Sequence, residues 1–395
     1  MQRALAGVAI AIVLVLLTTP LKLVVSTVVG RLRMDQQHRT ARNRVEPLRL
    51  AAARMPDIGG GRVEWRKLLP VGDGIVAFGE RDGAESIVLL SLDSSGNVRA
   101  STEIDHCIQG DAVAIGASEV VVLCATADRA RFVGIEADGA HLNQRAVPGD
   151  GIPLHCSKGC VLVSAARGDR YFWLLPEGGG HRVIVTGRGM AEPDGTEVRG
   201  LSTFVTGMVP FGEEGEVAVT HTDKVTGLRL SLISSDGTIV RSISVADQRE
   251  DFPGLARAQL VSDGREIAVI WTRHRTKTWP MDSIDTVLVL RRFGEGLQSM
   301  AGAEQLTDDS KVLPVRAYAF AKGAMIAWDQ GARNTWGVGS FVAFDSVANI
   351  SYAAPRRTPS GRLPISVAQT RNRTFILVPA SSSIRPSFET VIVGS

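Results

Sequence analysis

The 395-residue sequence predicts an all-β protein built from seven copies of one four-stranded antiparallel unit. Three observations predict it. A short run of β-branched residues recurs along most of the chain. A second apolar run follows each copy of the first. Turn sequences then come after the second run, and the 41 glycines and 17 prolines are spread along the chain, which suits many short strands. A hydrophobic N-terminal helix and a polar linker precede the repeats.

The N-terminal element comes first in chain order. After Met1-Gln2-Arg3 the chain runs from Ala4 to Leu17 without a charge, and a second apolar stretch, Leu23 to Gly30, follows Pro20 and Lys22. A short basic start before an apolar run is the pattern of a secretory signal peptide. Taken together, the two runs are also long enough to cross a bilayer core of ~30 Å. Residues 1–30 are therefore expected to be a signal peptide or a membrane anchor helix. Residues 31–61 read as a polar linker or stalk, rich in arginine (Arg31, Arg33, Arg39, Arg42, Arg44) and ending in Gly59-Gly60-Gly61.

The repeats begin beyond it. The first run of each unit starts at Gly74, Val120, Cys160, Glu216, Glu266, Met325 and Phe375, which makes seven copies at a period near fifty. The second runs are SIVLLSL, RFVGIE, YFWLLP, LRLSLI, TVLVLRR, SFVAF and TVIVGS. Turns such as Asp93–Asn97, Glu136–Ala140 and Ser234–Thr238 carry glycine where a hairpin needs a positive φ. One such sheet cannot bury both of its faces, so copies must stack against each other.

Four-stranded sheets at this period resemble the broad seven-bladed β-propeller superfamily, over residues 62–395. The resemblance lies in architecture. There is no WD dipeptide series, no kelch double glycine and no series of Asp boxes. The stretch DKVTG, Asp223 to Gly227, echoes part of the docking motif of quinoprotein propellers in a single copy without its tryptophan. The rival architecture is a pair of β-sandwiches. The last of the seven copies ends at its third strand, ETVIVGS, so Arg62–Arg66 is expected to supply the missing outer strand and close the ring.

The four cysteines fall in the second and third units. Cys156 and Cys160 flank Ser-Lys-Gly, which reads as a three-residue hairpin loop that sets them opposite each other. Behind an export signal an even cysteine count favours disulfides, here Cys156–Cys160 and Cys107–Cys124. Free buried thiols and a zinc site with His155 are the alternatives; His155 and Cys156, adjacent on a strand, would point apart. Disulfides imply an exported protein. It would be membrane-anchored and face the periplasm or the extracellular side, or be secreted if the N-terminal segment is cleaved.

A net charge of +3 gives no electrostatic footprint for nucleic acid, and none is expected as a partner. No P-loop, G-x-S-x-G, H-E-x-x-H or calcium loop is present, so no cofactor or metal is expected. The candidate site lies on the loops joining the second and third strands. The fifth unit offers Arg273, His274, Arg275, Lys277 and Trp279, and the sixth offers Asp329, Arg333 and Trp336. Aromatics beside arginine suit a protein or an anionic cell-envelope polymer. Trp271 and Trp328 have a second reading as core residues. His221 and Asp223 form a candidate acid–base pair. The expected function is a non-enzymatic binding or scaffold module, held to the membrane by its N-terminal segment. The alternative is a glycan hydrolase or lyase whose acids, Asp82, Asp128, Asp169, Asp223 and Asp329, converge at the axial end of that face.

Overall fold

The computed structural model describes residues 49–54, 62–137, 141–146, 151–154, 162–167, 170–177, 180–187, 194–198, 201, 204–212, 216–223, 227–234, 236–246, 258–262, 264–277, 283–300, 302–305, 312–320, 323–330, 338–339, 342–344, 350–352, 356–357, 365–370, 373–379 and 388–394. The apolar run of residues 4–29 lies outside them. Among the described residues no helix is long and apolar enough to cross a membrane.

The first strand in the chain, β1 (Arg49–Arg54), belongs to the last sheet. β2 (Val63–Val71), β3 (Gly74–Arg81), β4 (Ser86–Leu92) and β5 (Val98–Asp105) form the first sheet in sequence order. β6 (Gln109–Ile115), β7 (Glu119–Ala125) and β8 (Arg129–Ala137) form the second, and β9 (Leu142–Ala146) and β10 (Ile152–Pro153) share its outer edge along β8. The third sheet holds β11 (Val163–Arg167), β12 (Arg170–Glu177), β13 (Gly180–Gly187) and β14 (Asp194–Val198). The fourth holds β15 (Phe204–Phe211), β16 (Glu216–Asp223), β17 (Gly227–Ile233) and β18 (Ile239–Ala246). The fifth holds β19 (Gln259–Ser262), β20 (Ile267–Lys277), β21 (Ser283–Phe293) and β22 (Glu304–Gln305).

Three two-stranded ladders come next: β23 (Val312–Phe320) with β24 (Gly323–Gln330), β25 (Val338–Gly339) with β28 (Arg356–Arg357), and β26 (Val342–Phe344) with β27 (Ile350–Tyr352). The last sheet runs β29 (Ser366–Gln369), β30 (Arg373–Pro379), β31 (Phe388–Gly394), and is completed by β1. All the pairings are antiparallel.

The expected closing strand is therefore corrected. Arg49–Arg54, not Arg62–Arg66, pairs with β31, from Arg49↔Gly394 to Arg54↔Glu389. Val63–Arg66 instead begins β2, the inner strand of the first sheet, where Trp65 is buried and packs among Ala77, Val88 and Leu90. An apolar strand with two buried neighbours has more to gain at the inner position than at a solvated rim.

The third sheet is corrected as well. Val163–Arg167 is its innermost strand, not its second, and Tyr171–Pro176 lies on its second strand, not its third. The segment with Cys156 and Cys160 lies outside the described residues. Its flanking strands, β10 and β11, belong to different sheets.

The core explains why the sequence shows solid apolar runs and little alternation. Along β3, Val76 and Phe78 pack toward the second sheet, while Ile75 and Ala77 pack toward the last. Along β7, Val120, Val122 and Cys124 face the first sheet, and Val121, Leu123 and Ala125 face the third. The first and second sheets are thus buried on both faces, and period-2 alternation sorts residues between two neighbours. Phe132 and Trp173 meet between the second and third sheets with ring centroids 5.4 Å apart. The turns Asp93–Asn97 and Ser234–Thr238 repeat one geometry. In each, the first residue and the fifth pair through their backbones, and the fourth, Gly96 (φ 84°) or Gly237 (φ 82°), is left-handed.

The first strands contact one another in sequence, β2 with β6, β6 with β11, β11 with β15, β15 with β19, β19 with β23, β23 with β29, and β29 with β2 again. Leu68 N donates to Ser366 Oγ at 2.9 Å where this circuit closes.

Candidate functional site

Chain direction defines two faces. First strands run from the upper face to the lower. The 2–3 connections at 82–85 and 126–128 and the crossover at 106–108 lie on the upper face. The turns at 72–73 and 116–118 lie on the lower one. Asp169, expected among the upper-face acids, lies outside the described residues.

The fifth sheet carries the main feature of the upper face. β20 and β21 pair over eleven positions, from Ile267↔Phe293 to Lys277↔Ser283. Among the described residues, β19 pairs with Ile267–Ile270 and β22 with Val289 and Leu290. Residues 271–277 and 283–288 therefore continue as a β-ribbon past those neighbours. Arg273, His274, Arg275 and Lys277, expected on a loop, are strand residues. Arg273, Arg275 and Lys277 occupy alternate positions and share one face of the ribbon with Val287, Asp285 and Ser283; His274 falls on the other face with Thr286. Arg273 is partly buried at its base. Trp271 is fully buried, in the core between the fourth and fifth sheets. Trp279 lies outside the described residues.

The remaining candidates divide. Asp329 is the penultimate residue of β24, and Arg333 and Trp336 are outside the described residues. His221 is 1 % exposed on β16, with Nε2 2.8 Å from Ser231 Oγ; Ser231 in turn donates to Ser242 Oγ at 2.8 Å. The imidazole thus sits inside a hydroxyl relay that runs outward through the fourth sheet. Asp223 ends the same strand opposite Gly227.

Sequence reasoning missed a polar cluster on the inner strands. A bulge between Trp65 and Lys67 makes Arg66 an extra residue of β2. Arg66 Nη2 lies 2.9 Å from Glu80 Oε2 and 3.2 Å from Glu64 Oε2. Lys67 Nζ donates to Asp111 Oδ1 at 3.0 Å and to Ser164 Oγ at 3.1 Å, and the Ser164 hydroxyl donates to Asp111 Oδ2. Three successive inner strands meet in this set. The Ser164 oxygen accepts from an ammonium while its proton faces a carboxylate, so the hydroxyl is engaged on both sides. The misassigned third sheet hid it, because Ser164 was expected one strand further out. Among the described residues no group of His, Cys, Asp and Glu is placed to hold a metal ion.

Two features rigidify the upper face near the first and second sheets. Cys107 and Cys124 form a disulfide, with Cα atoms 5.3 Å apart. It ties the crossover into β6 to β7. Arg131 Nε lies 3.5 Å from Cys124 Sγ, and Arg131 Nη2 donates to Asp105 O at 2.6 Å. Arg81 grips Glu103 with two bonds of 2.8 and 2.9 Å. That guanidinium, and then the Ser86 hydroxyl, hold the Glu103 carboxyl below the usual carboxylate range.

No family model matches the chain, and no curated protein does. Solved structures do. The chain is similar to the WD40 domain of coronin from Toxoplasma gondii, with a TM-score of 0.53 at 9% identity, over 88% of this chain and 87% of that one. It is similar also to the β-propeller domain of Cps50 (Swd1) from Myceliophteria thermophila, with a TM-score of 0.52 at 10% identity, over 87% of this chain and 100% of that one. At such identities the likeness is one of fold, and the fold is that of a β-propeller.

Proposed function

We propose that this propeller has seven blades and is an exported, membrane-tethered binding module that holds a protein or an anionic envelope polymer on its upper face. The closed circuit of inner strands supports the blade count, with the ladders of residues 312–357 forming the sixth blade. One observation carries the binding reading. The β20–β21 ribbon continues beyond its sheet neighbours with Arg273, Arg275 and Lys277 on one face. Such a ribbon offers charge and backbone to a partner at low cost in ordering. The Cys107–Cys124 bridge supports export, since disulfides persist in oxidising compartments. Residues 1–30 supply the signal or the anchor. The burial of His221 inside a hydroxyl relay favours binding over catalysis.

The test is affinity capture from native envelope fractions with the full chain and with an R275E/K277E variant. The reading expects a partner retained by the first and lost by the second while the thermal midpoint is unchanged. Identical capture by both would remove the ribbon from the function. Fractionation of the same cells checks the compartment.

A further inference from the structure

We propose that the outer edge of β31 is a docking site for an extended peptide strand of a protein partner, and that β1 is a displaceable latch covering it. This surface is separate from the β20–β21 ribbon and does not depend on it.

The inference starts from composition. β31 reads Phe-Glu-Thr-Val-Ile-Val-Gly, a strong strand former. The strand that covers it reads Arg-Leu-Ala-Ala-Ala-Arg. Ala53, Ala52 and Ala51 stand opposite Thr390, Val391 and Ile392. Alanine is depleted in strands because it offers little to cross-strand packing. The outer strand β18 is better made, with Ile239, Val240, Ile243 and Val245. The β31 edge thus sets strong strand formers against a cover of weak ones.

Topology makes that cover separable. On its C-terminal side β1 is joined to β2 through residues 55–62, a segment that includes Gly59-Gly60-Gly61. Releasing it breaks six residue pairs and leaves β29, β30 and β31 paired with each other. A competing strand would regain the same ladder by strand addition and add side-chain contacts that alanine lacks. The register also states its chemistry: β-branched residues opposite Thr390, Val391 and Ile392, then a basic residue opposite Glu389, where Arg54 stands.

The probe is a labelled six-residue peptide of the β1 sequence with Val, Ile and Val in place of the three alanines, titrated against the purified full chain. We expect saturable one-to-one binding, about tenfold or more tighter than for the native β1 peptide, as the β-propensity scale implies over three sites. A chain carrying A51V/A53V should bind the probe about tenfold less, because its own latch competes better. If that variant does not fold, A51T/A53T repeats the comparison. In the unmodified chain, the amides of residues 390–393 should exchange with solvent faster than those of residues 228–233 in β17. Absence of probe binding, equal affinity for both peptides, indifference to the stronger latch, or equal amide protection would each overturn the proposal.

Discussion

Lys67 reaches Ser164, two inner strands away, with its Nζ 3.1 Å from the serine oxygen and 3.0 Å from Asp111 on the strand between them. One ammonium therefore joins three sheets near the axis. Asp111 keeps 16% of its side-chain surface exposed, so removing Lys67 leaves a largely desolvated carboxylate unpaired. Lys67→Met is expected to cost roughly 2–3 kcal/mol, the range for hydrogen bonds to charged groups. A double-mutant cycle with Asp111→Asn in chemical denaturation measures it; additive effects would show that the two side chains act independently.

Ring closure by β1 predicts a sharp difference between two truncations. Deleting residues 1–48 keeps every pairing of β1 and should leave the thermal midpoint of the propeller unchanged. Deleting residues 1–58 removes the strand, exposes the β31 edge and should both lower the midpoint and make aggregation concentration-dependent. Calorimetry and light scattering on the two proteins decide it, and equal behaviour would mean that β1 contributes nothing to closure.

His181 gives a pH dependence. The imidazole is buried on β13, and burial pushes its pKa below the ordinary value. The folded state then binds fewer protons than the unfolded chain. The stability contributed is present above the unfolded histidine value of about 6.5 and falls as pH drops through it and below. His181→Leu should flatten the stability curve between roughly pH 7 and 5. An unchanged slope in denaturant titrations would assign the pH dependence elsewhere.

The Cys107–Cys124 bridge closes a loop with a sequence separation of 17 residues. Replacing both cysteines by serine should cost about 3 kcal/mol on the chain-entropy account. Thiol labelling of the denatured, unreduced protein should leave both cysteines unmodified. The same experiment reports on Cys156 and Cys160, where absence of label is the outcome expected for the second predicted bridge.

Much of the architecture was legible because sheets such as the first and second are buried on both faces. Runs such as Ile75–Phe78 and Val120–Leu123 are solid rather than alternating, and they recur at a steady interval. The order of strands within a unit was less legible. A β-branched run announces a strand, but its pattern does not say which neighbour it pairs with. That is how Val163–Arg167 was placed one position too far out, while Ile152-Pro153 joins the edge of the second sheet. β1 was invisible for a different reason. Three consecutive alanines carry no strand signal, and only the unpaired edge of β31 selects them. At the candidate site the basic cluster was legible as composition, but its extension as a ribbon was not, because polar strand residues past the core look like loop. The Lys67–Asp111–Ser164 set needed the ring itself, since its members are 44 and 97 residues from Lys67.

The pairing of β1 with β31 also sets an order of events. A chain made from its N-terminus exposes Arg49–Arg54 early, but the strand that receives it, residues 388–394, is made after every other described strand. Every other sheet can form as its own residues emerge, because its strands follow one another in sequence. The final sheet cannot. Until residues 388–394 are made, β1 has no place in the final sheet, so closure by this pairing must follow the making of every other strand.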